Sequence, residues 1–452
     1  MLQRGSVRIL LAHNSPYYPS LGGGDKSNRL LVAALAARGH AATVLARTVD
    51  FGQDVHTRLL LHLEQRGIAP ESHSEDVRFT LDGADVRVFT RGASLRAWVA
   101  ARMQEARADI VLTSTDDPAH LMFHTALALD KARVVYLVRA MIALPFGPAS
   151  PLPSPARTEA LRQADGSVAV SQYVAAYARQ WGGLDTIHLP ISLPDRASFP
   201  LLGAWDNPFV TMVNPCAGKG LAIFLALAAH FPHAAFAAVP SWGTTAADLA
   251  TLAALPNVTI LPPAEDIDDV FRQTRVALVP SLWAEARSRI VLEALARGVP
   301  VLASNVGGMH EAMLGMDYVL PVNPVVRYRP AVDELMVPVT DIPPQDPGPW
   351  VEALGRLLAG PAHYQELAAC SRAAALRYAR GATVEPFERF LEETLRAPRR
   401  RAAAPLPAAR PAARPADHPA DHPASPVHAL SADRRRLLAA RLKQRAVVED
   451  RD

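Results

Sequence analysis

The stretch Val276–Gly308, VALVPSLWAEARSRIVLEALARGVPVLASNVGG, contains the pattern that decides the fold. Its runs VALVP and VPVLA are short and apolar, as buried parallel strands are. Between them, RSRIVLEALARG repeats its apolar positions with helical spacing. A strand, a helix and a further strand in this order predict one unit of a parallel sheet that is covered by helices.

The same rhythm extends through most of the chain. Val7–Ala12 predicts a strand, and Asp25–Gly39 predicts a helix that stops at its glycine. ATVLA, DIVLT, VVYLV and SVAVS recur as short strands, and a second series starts at PFVTMV after the proline-rich segment Leu189–Trp205. Two such halves predict an α/β protein with two Rossmann-like, doubly wound domains facing a cleft, where ligands bind beyond the carboxyl ends of the strands.

These patterns also predict domain boundaries. The first domain is assigned to residues 1–195, the second to residues 196–380, and residues 381–397 to a helix that returns to the first domain. Residues 398–428 are rich in Ala, Pro and Arg, which predicts a disordered linker. Residues 429–448 predict a short amphipathic helix, which needs a docking surface because it is too short to be stable alone.

Composition limits the classes of protein that the chain can represent. Its 452 residues are too many for one ordinary core, and a net charge of +3 gives no case for a nucleic-acid binder. Cys216 and Cys370 lie too far apart to suggest a metal motif or a disulfide framework, so we expect a cytoplasmic protein. No apolar run approaches the roughly 18 residues of a transmembrane helix. Peripheral contact with the inner face of a membrane stays open.

Glu285 and Glu293 flank the start of the helix in the opening stretch. Glu285 is predicted at or just before the helix N-terminus, with Glu293 about 12 Å further along the axis. One interpretation is a capping glutamate and an ordinary surface glutamate. The other is a ligand site, since a helix N-terminus suits a diphosphate and two carboxylates can accept hydrogen bonds from hydroxyls of a sugar and a ribose.

The segment from Pro280 to Glu311 resembles the most diagnostic stretch of the family-4 retaining glycosyltransferases, PSxxEPFGxxxxEAxAxGxPVxAxxxGGxxE. The positions that match are Pro280, Ser281, Glu285, Glu293, Ala294, Gly298, Pro300, Val301, Gly307, Gly308 and Glu311. The resemblance implies the two-domain GT-B fold. It also implies that Glu285 contacts the donor sugar and that Glu293 binds the ribose.

A second part of the resemblance is the loop VNPCAGKGL. In the family, a Lys-Gly pair here and an arginine five residues before the lysine bind the donor diphosphate. Lys219 and Gly220 match, whereas the arginine position holds Asn214. The resemblance therefore implies that Lys219 neutralises the diphosphate. One diphosphate-binding charge is then either missing or supplied by another cation, Arg287 or Arg289.

The family's Pro-Phe-Gly is also replaced, by Ala286-Arg287-Ser288. We expect Ser288 to offer its backbone N–H to a phosphate.

The first domain offers further candidates. Gly22, Gly23 and Gly24 follow the first strand, and glycines let backbone amides approach a phosphate or a sugar. Asp25 is expected to contact a hydroxyl or to cap the helix.

Arg139 stands where the family commonly has a histidine near the transferred sugar. It is expected to bind phosphate, to bind an acidic substrate or to form a structural ion pair. Other polar residues near the predicted cleft are His13 and Asn14, expected in the cleft or in a turn, and Asp116 and Asp117, expected as helix caps.

The resemblance implies transfer of a sugar from a nucleoside-diphosphate donor to an acceptor hydroxyl, with retention at the anomeric carbon and no obligatory metal or other cofactor. The acceptor is expected to be a small molecule or a glycan, in natural-product or surface-glycan biosynthesis. The alternative is a catalytically silent GT-B protein that binds a nucleotide sugar or acts as an adaptor. The tail LSADRRRLLAARLKQR resembles junction segments of assembly-line synthases, which implies such a synthase as a partner of residues 429–448. The alternative is that this segment docks on its own chain or forms a dimer.

Overall fold

The computed structural model describes residues 6–20, 22–48, 53–190 and 199–400. Within them, the first domain has a nine-stranded sheet with the order β3-β4-β5-β2-β1-β6-β7-β8-β9. Its strands are β1 (Arg8–Ala12), β2 (Ala41–Arg47), β3 (Glu71–Ser72), β4 (Asp76–Leu81), β5 (Ala84–Phe89), β6 (Ile110–Ser114), β7 (Arg133–Val138), β8 (Gly166–Ala169) and β9 (Thr186–His188). Its helices are α1 (Gly23–Ala37), α2 (Gln53–Gln65), α3 (Leu95–Ala106), α4 (Leu121–Leu127), α5 (Pro155–Leu161) and α6 (Gln172–Tyr177), and α6 continues into a π-helical turn, Ala178–Gly182.

Strand β1 lies in the middle of this sheet and shows why both faces carry helices. It pairs in parallel with β2 and β6. Successive residues of a strand point to opposite faces, and here Ile9 and Leu11 enter one buried cluster while Leu10 and Ala12 enter the other. A strand that is apolar on both sides needs cover on both sides.

One edge of the first sheet differs from the predicted parallel arrangement. Strands β4 and β5 are antiparallel and are joined by Asp82 and Gly83, whose φ angles are 50° and 82°. Asp-Gly between two strands is a strong signal for a two-residue hairpin turn, because both turn positions need positive φ.

The second domain has a six-stranded parallel sheet with the order β12-β11-β10-β13-β14-β15 among the described residues, and a separate antiparallel hairpin, β16–β17. The strands are β10 (Phe209–Val213), β11 (Ala235–Val239), β12 (Val258–Ile260), β13 (Thr274–Val279), β14 (Val301–Ser304), β15 (Val319–Leu320), β16 (Tyr328–Val332) and β17 (Pro338–Thr340). The helices are α7 (Leu221–His230), α8 (Ala246–Ala253), α9 (Asp268–Phe271), α10 (Arg289–Ala296), α11 (Met309–Ala312), α12 (Gly348–Leu358) and α13 (Pro361–Gly381), and α14 (Glu385–Arg396) follows them. The two sheets, parallel except for the β3–β4–β5 edge of the first, confirm the predicted α/β class.

The last described helix, α14, packs on the first domain. Phe387 and Leu391 belong to the same buried cluster as Ile9. Arg38, the C-cap of α1, donates hydrogen bonds to Glu385 at 2.9 Å and to Glu388 at 2.5 Å. Apolar burial and charged hydrogen bonds therefore attach the end of the described chain to the first sheet.

The predicted linker begins with residues that bind the first domain. Arg399 donates to the carbonyl of Ala132 at 2.6 Å, and Arg400 to Asp185 at 2.9 Å. The rest of the predicted linker and the predicted helix at 429–448 lie outside the described residues. The predicted domain boundaries stay predictions.

Candidate functional site

The loop between β10 and α7 holds Lys219 and is positioned by close backbone contacts. Gly220 has a φ of 86°, and a Cβ there would lie 2.0 Å from the carbonyl oxygen of Pro280. A Cβ at Gly218 would lie 2.4 Å from the ring of Trp283. Only glycine fits at both positions, so the loop after β10 lies directly on the loop after β13.

Lys219 meets Glu285 across these two loops. The Nζ atom of Lys219 donates to Oε1 of Glu285 at 2.5 Å, and the same oxygen accepts Ser281 Oγ at 2.6 Å and Trp283 Nε1 at 3.1 Å. Burial alone would raise the pKa of Glu285, but Lys219 and the hydroxyl and indole donors hold it below its usual 4.5. Glu285 is therefore a preorganised carboxylate that carries its charge at neutral pH.

Glu293 lies on α10, which begins at Arg289 with Ser288 as its N-cap. Glu285 therefore lies four residues before the helix. The predicted separation of about 12 Å assumed a helix from Glu285 to Glu293, but only the half from Arg289 to Glu293 is helical. The side chain of Glu293 is 6% exposed, so it is not a surface glutamate. Its Oε1 atom lies 2.8 Å from Arg289 Nε and 3.3 Å from Lys26 Nζ.

These cations determine the charge of Glu293. Burial would raise the pKa of the carboxyl, whereas Lys26, Arg289 and Arg297 hold it below 4.5. Lys26 belongs to α1 of the first domain, so this ion pair crosses between the domains.

The glycine run connects the two glutamate groups. Gly22 is the N-cap of α1, and Gly23 and Gly24 are its first two residues. A Cβ atom added at Gly22 would lie 3.5 Å from Trp242. One added at Gly23 would lie 3.3 Å from Arg289, and one added at Gly24 would lie 3.4 Å from Arg139. The missing side chains therefore let the start of α1 approach three residues of the site.

Trp242 extends this connection to Glu285. Its ring stacks on Trp283 with centroids 6.1 Å apart and an interplanar angle of 3°. The indole of Trp283 in turn donates to Glu285. Both predicted glutamates thus lie on the second-domain side of one site, with the glycine run opposite them.

A buried network behind the glycine run was only partly visible in the sequence. His13 Nδ1 lies 3.2 Å from Asp116 Oδ2, and His13 Nε2 lies 3.3 Å from Asp25 Oδ1 and 2.8 Å from Ser15 Oγ. Burial would lower the pKa of His13, but Asp116 and Asp25 raise it to about 10. Asp25 accepts the Gly22 N–H at 3.0 Å, so the protonated imidazole orients the carboxylate that holds the glycine run.

The predicted caps behave differently from each other. Asp117 caps α4 by accepting the N–H groups of Leu121, Met122 and Phe123. Asp116 pairs with His13 and also binds the N–H of Asn14, so it is not a helix cap. Asn14 donates its side-chain amide to Asp117 at 3.0 Å. The sequence showed these side chains after adjacent strands but not which pairs they form.

Arg139 lies beside Gly24 and donates from Nε to Asn28 Oδ1 at 2.9 Å. Burial has the largest effect on the pKa of Arg139 and the positive charge of Arg289 the next largest, and together they lower this pKa to about 10. The negative charge of Asp116 acts in the opposite direction. Arg139 therefore stays charged at neutral pH and adds a cation to the glycine-run side of the site.

Position 214 and Arg287 have structural roles. Asn214 has a φ of 59° and accepts the Gly243 N–H at 2.9 Å. Arg287 binds the carbonyl of Glu311 at 3.2 Å and lies over the ring of Tyr378 at 4.6 Å. The structure therefore holds Arg287 against Glu311 and Tyr378, whereas Arg289 lies in the first turn of α10.

The Gly-Gly-x-x-Glu part of the motif joins the two domains. Glu311 accepts the N–H groups of Gln172 and Tyr173 at 2.9 and 2.8 Å, at the start of α6 in the first domain. Ser171 donates to the carbonyl of Ala286 at 2.7 Å. The sequence identified Glu311 through the motif, but its capping of a helix in the other domain follows from the structure alone.

Two properties bear on metals and membranes. In residues 6–400, leaving out 21, 49–52 and 191–198, no group of three or more His, Cys, Asp or Glu side chains is placed to hold a metal ion. Across the same part of the chain, no helix is long and apolar enough to cross a membrane.

Comparison with known proteins identifies both halves of the chain. Residues 21–191 match the family model described as Glycosyltransferase Family 4, and residues 219–359 match that described as Glycosyl transferases group 1. No curated protein sequence matches the chain.

Several solved structures share the fold over nearly their whole length. A glycosyltransferase from Rickettsia africae ESF-5 has a TM-score of 0.60 at 12% identity and covers 87% of this chain and 100% of its own. Sucrose-phosphate synthase from Thermosynechococcus elongatus has a TM-score of 0.62 at 18% identity, with coverages of 85% and 98%. HepE from Anabaena in complex with UDP-glucose has a TM-score of 0.56 at 17% identity, with coverages of 86% and 99%.

These likenesses define the class of the fold, which is GT-B, with two Rossmann-like domains about a cleft. With a Family 4 match in its first half and a group 1 match in its second, the chain is a GT-B glycosyltransferase of the family-4 type.

Proposed function

We propose that this glycosyltransferase moves a sugar from a nucleoside-diphosphate donor to an acceptor hydroxyl, with retention at the anomeric carbon. The observation that carries the proposal is the pair of buried, ionised glutamates around the start of α10. Glu285 forms an ion pair with Lys219, and Glu293 forms ion pairs with Arg289 and Lys26.

The donor diphosphate fits at the start of α10. The first turn of a helix has backbone N–H groups without helical partners and the positive end of the helix dipole. Ser288 and Arg289 stand at this end. Side chains of a helix lean toward its N-terminus, so the carboxylate of Glu293 covers the same turn and accepts hydrogen bonds from the ribose.

The chemistry of transfer needs stabilisation of the diphosphate as it leaves. Lys219 and the amides of α10 are positive groups that are already in place, and preorganised groups of this kind stabilise developing negative charge. Glu285 stays ionised, accepts hydrogen bonds from hydroxyls of the donor sugar and stabilises the positive charge that builds on its ring. Closure of the first domain over the donor excludes water and so limits hydrolysis.

The related structures support a nucleotide-sugar donor in general terms. HepE from Anabaena is described in complex with UDP-glucose, and a starch synthase from Arabidopsis thaliana is described with ADP and acarbose. We propose a small molecule or a glycan as acceptor, and an assembly-line synthase as a protein partner of residues 429–448. We further propose that transfer requires no metal.

A panel of UDP-, GDP-, ADP- and dTDP-sugars tests the donor part of the proposal. Release of nucleoside diphosphate is measured for the wild type, for Glu293→Ala and for a control, Glu366→Ala, on the exposed side of α13. We expect release with at least one donor, a strong loss in Glu293→Ala and wild-type rates in the control. No release of nucleoside diphosphate with any donor, and no effect of Glu293→Ala on donor binding, would contradict the proposal.

Three further measurements test the parts of the proposal separately. The anomeric configuration of the product, measured by NMR, must match that of the donor; inversion would contradict retention. Binding of a nucleotide sugar without transfer would favour the catalytically silent alternative, which the loss of the arginine at Asn214 motivates.

Deletion of residues 398–452 must reduce association with a partner, and unchanged association and product yield would eliminate the adaptor role.

A further inference from the structure

The replacement of the family's arginine by Asn214 leaves the diphosphate position with one fewer cation on the second-domain side. We propose that Lys26, in the first turn of α1, supplies the second diphosphate-binding charge from the first domain and rests on Glu293 until the donor arrives. This inference rests on the proposed function, because it concerns how the same donor is held.

The position of Lys26 places its ammonium at the start of α10. Its Nζ lies 3.3 Å from Glu293 Oε1, and the carboxylate of Glu293 lies over the first turn of that helix. The unpartnered amides of a first turn lie within about one helical pitch, roughly 5 Å, of such a position. A diphosphate on those amides is therefore within reach of the Lys26 side chain.

Lys26 suits this exchange better than the neighbouring arginines. Arg289 binds Glu293 and lies 3.4 Å from Ser27, and Arg139 binds Asn28. Lys26 carries a point charge on a flexible four-carbon stem, and its side chain is 22% exposed. It can therefore turn from one anionic partner to another without disturbing the packing of a rigid, planar group.

Lys26 and Lys219 form matching arrangements on the two glutamates. Nζ of Lys219 lies 2.5 Å from Oε1 of Glu285, and Nζ of Lys26 lies 3.3 Å from Oε1 of Glu293. When the donor binds, each glutamate gains hydroxyl donors of the sugar or the ribose, and each lysine gains phosphate oxygens. Two lysines then balance the two negative charges of the donor diphosphate, so that no buried group is left without a partner.

The measurement is the gain in affinity that the diphosphate adds to a nucleoside. Dissociation constants are measured for uridine, adenosine and guanosine and for UDP, ADP and GDP, with the full-length wild type, Lys26→Met and Lys26→Arg. In Lys26→Met we expect the gain to fall by about tenfold or more, because a charged hydrogen bond to phosphate is lost. Nucleoside binding should be unchanged or tighter, because Glu293 no longer carries the competing lysine.

Lys26→Arg keeps the charge and should keep most of the gain. The matched control is Arg29→Met, which removes a cation from the same helix and breaks another ion pair between the domains, Arg29 with Glu265 at 3.0 Å. This control should leave the gain as in the wild type.

The gain is the ratio of the dissociation constant of a nucleoside to that of its diphosphate. This ratio is independent of the fraction of folded protein, so partial misfolding of a variant does not obscure it. An unchanged gain in Lys26→Met, or an equal fall in Arg29→Met, would overturn the role of Lys26. A wild type in which no diphosphate adds affinity would instead overturn the proposed function, and this inference with it.

Discussion

At the scale of single residues, the site depends on charges that are buried together with their partners. A buried carboxylate remains ionised only where cations and donors compensate for its loss of hydration. Lys219 does this for Glu285, and His13 does it for Asp116. Removal of one partner should therefore affect both the chemistry and the pH dependence of folding.

Lys219→Met should lower the rate of transfer on the order of a hundredfold or more, because it removes the charge that stabilises the leaving diphosphate. The measurement is kcat with the best donor. A comparable substitution at an exposed lysine, Lys131→Met, serves as control and should keep wild-type kcat. A Lys219→Met enzyme with wild-type kcat would show that the diphosphate is not bound at this lysine.

His13→Gln should destabilise the protein by about 3–5 kcal/mol near neutral pH, since it leaves the buried carboxylate of Asp116 without its cation. The pKa of His13 rises from 6.5 to about 10 on folding, so its contribution is complete below pH 6.5 and disappears as the pH approaches 10. Urea unfolding of both proteins at pH 6 and pH 9.5 should show a larger difference at pH 6. Equal differences would argue against a charged His13.

At the scale of helices and loops, glycines set the approach of the elements that form the site. The sequence showed the glycine runs, the helical spacing around Glu293 and the strands before each loop. It did not show that α10 starts only at Arg289, because the apolar periodicity does not mark where the first turn closes. It also did not show the pairing of Trp242 with Trp283, since stacking depends on the distance between two loops.

Gly220→Ala should displace the loop after β10. The new Cβ would lie 2.0 Å from the Pro280 carbonyl oxygen, and the φ of 86° is strained for alanine. We expect a loss of about 1–3 kcal/mol in the free energy of unfolding, together with weaker donor binding. Gly360→Ala, where no atom lies within 4 Å of the added Cβ, should leave donor affinity unchanged. Wild-type donor affinity in Gly220→Ala would separate this loop from the site.

At the scale of the whole molecule, the two sheets were predictable because parallel strands buried on both faces leave short apolar runs at regular intervals. The contacts between the domains were not, because they depend on side chains far apart in the chain. Lys26 with Glu293, Arg29 with Glu265 and Glu311 with α6 are examples. The family motif pointed to Glu293 and Glu311, but no pattern pointed to their partners.

Glu311→Ala should weaken the junction between the domains. It removes the acceptor for two N–H groups of α6, and loss of a helix cap costs about 1 kcal/mol. Hydrogen exchange should then be faster in Gln172 and Tyr173 while it stays unchanged in α7 of the second domain. Unchanged exchange at the start of α6 would contradict this role of Glu311.

The central claim is that the two glutamates and Lys219 form a site for a nucleoside-diphosphate sugar. A crystal structure with the nucleotide sugar that binds most tightly tests it most directly. We predict the diphosphate on Lys219 and on the first-turn amides of α10, the ribose hydroxyls on Glu293 and the sugar beside Glu285. A nucleotide bound elsewhere, with the Lys219–Glu285 pair still closed, would contradict the claim.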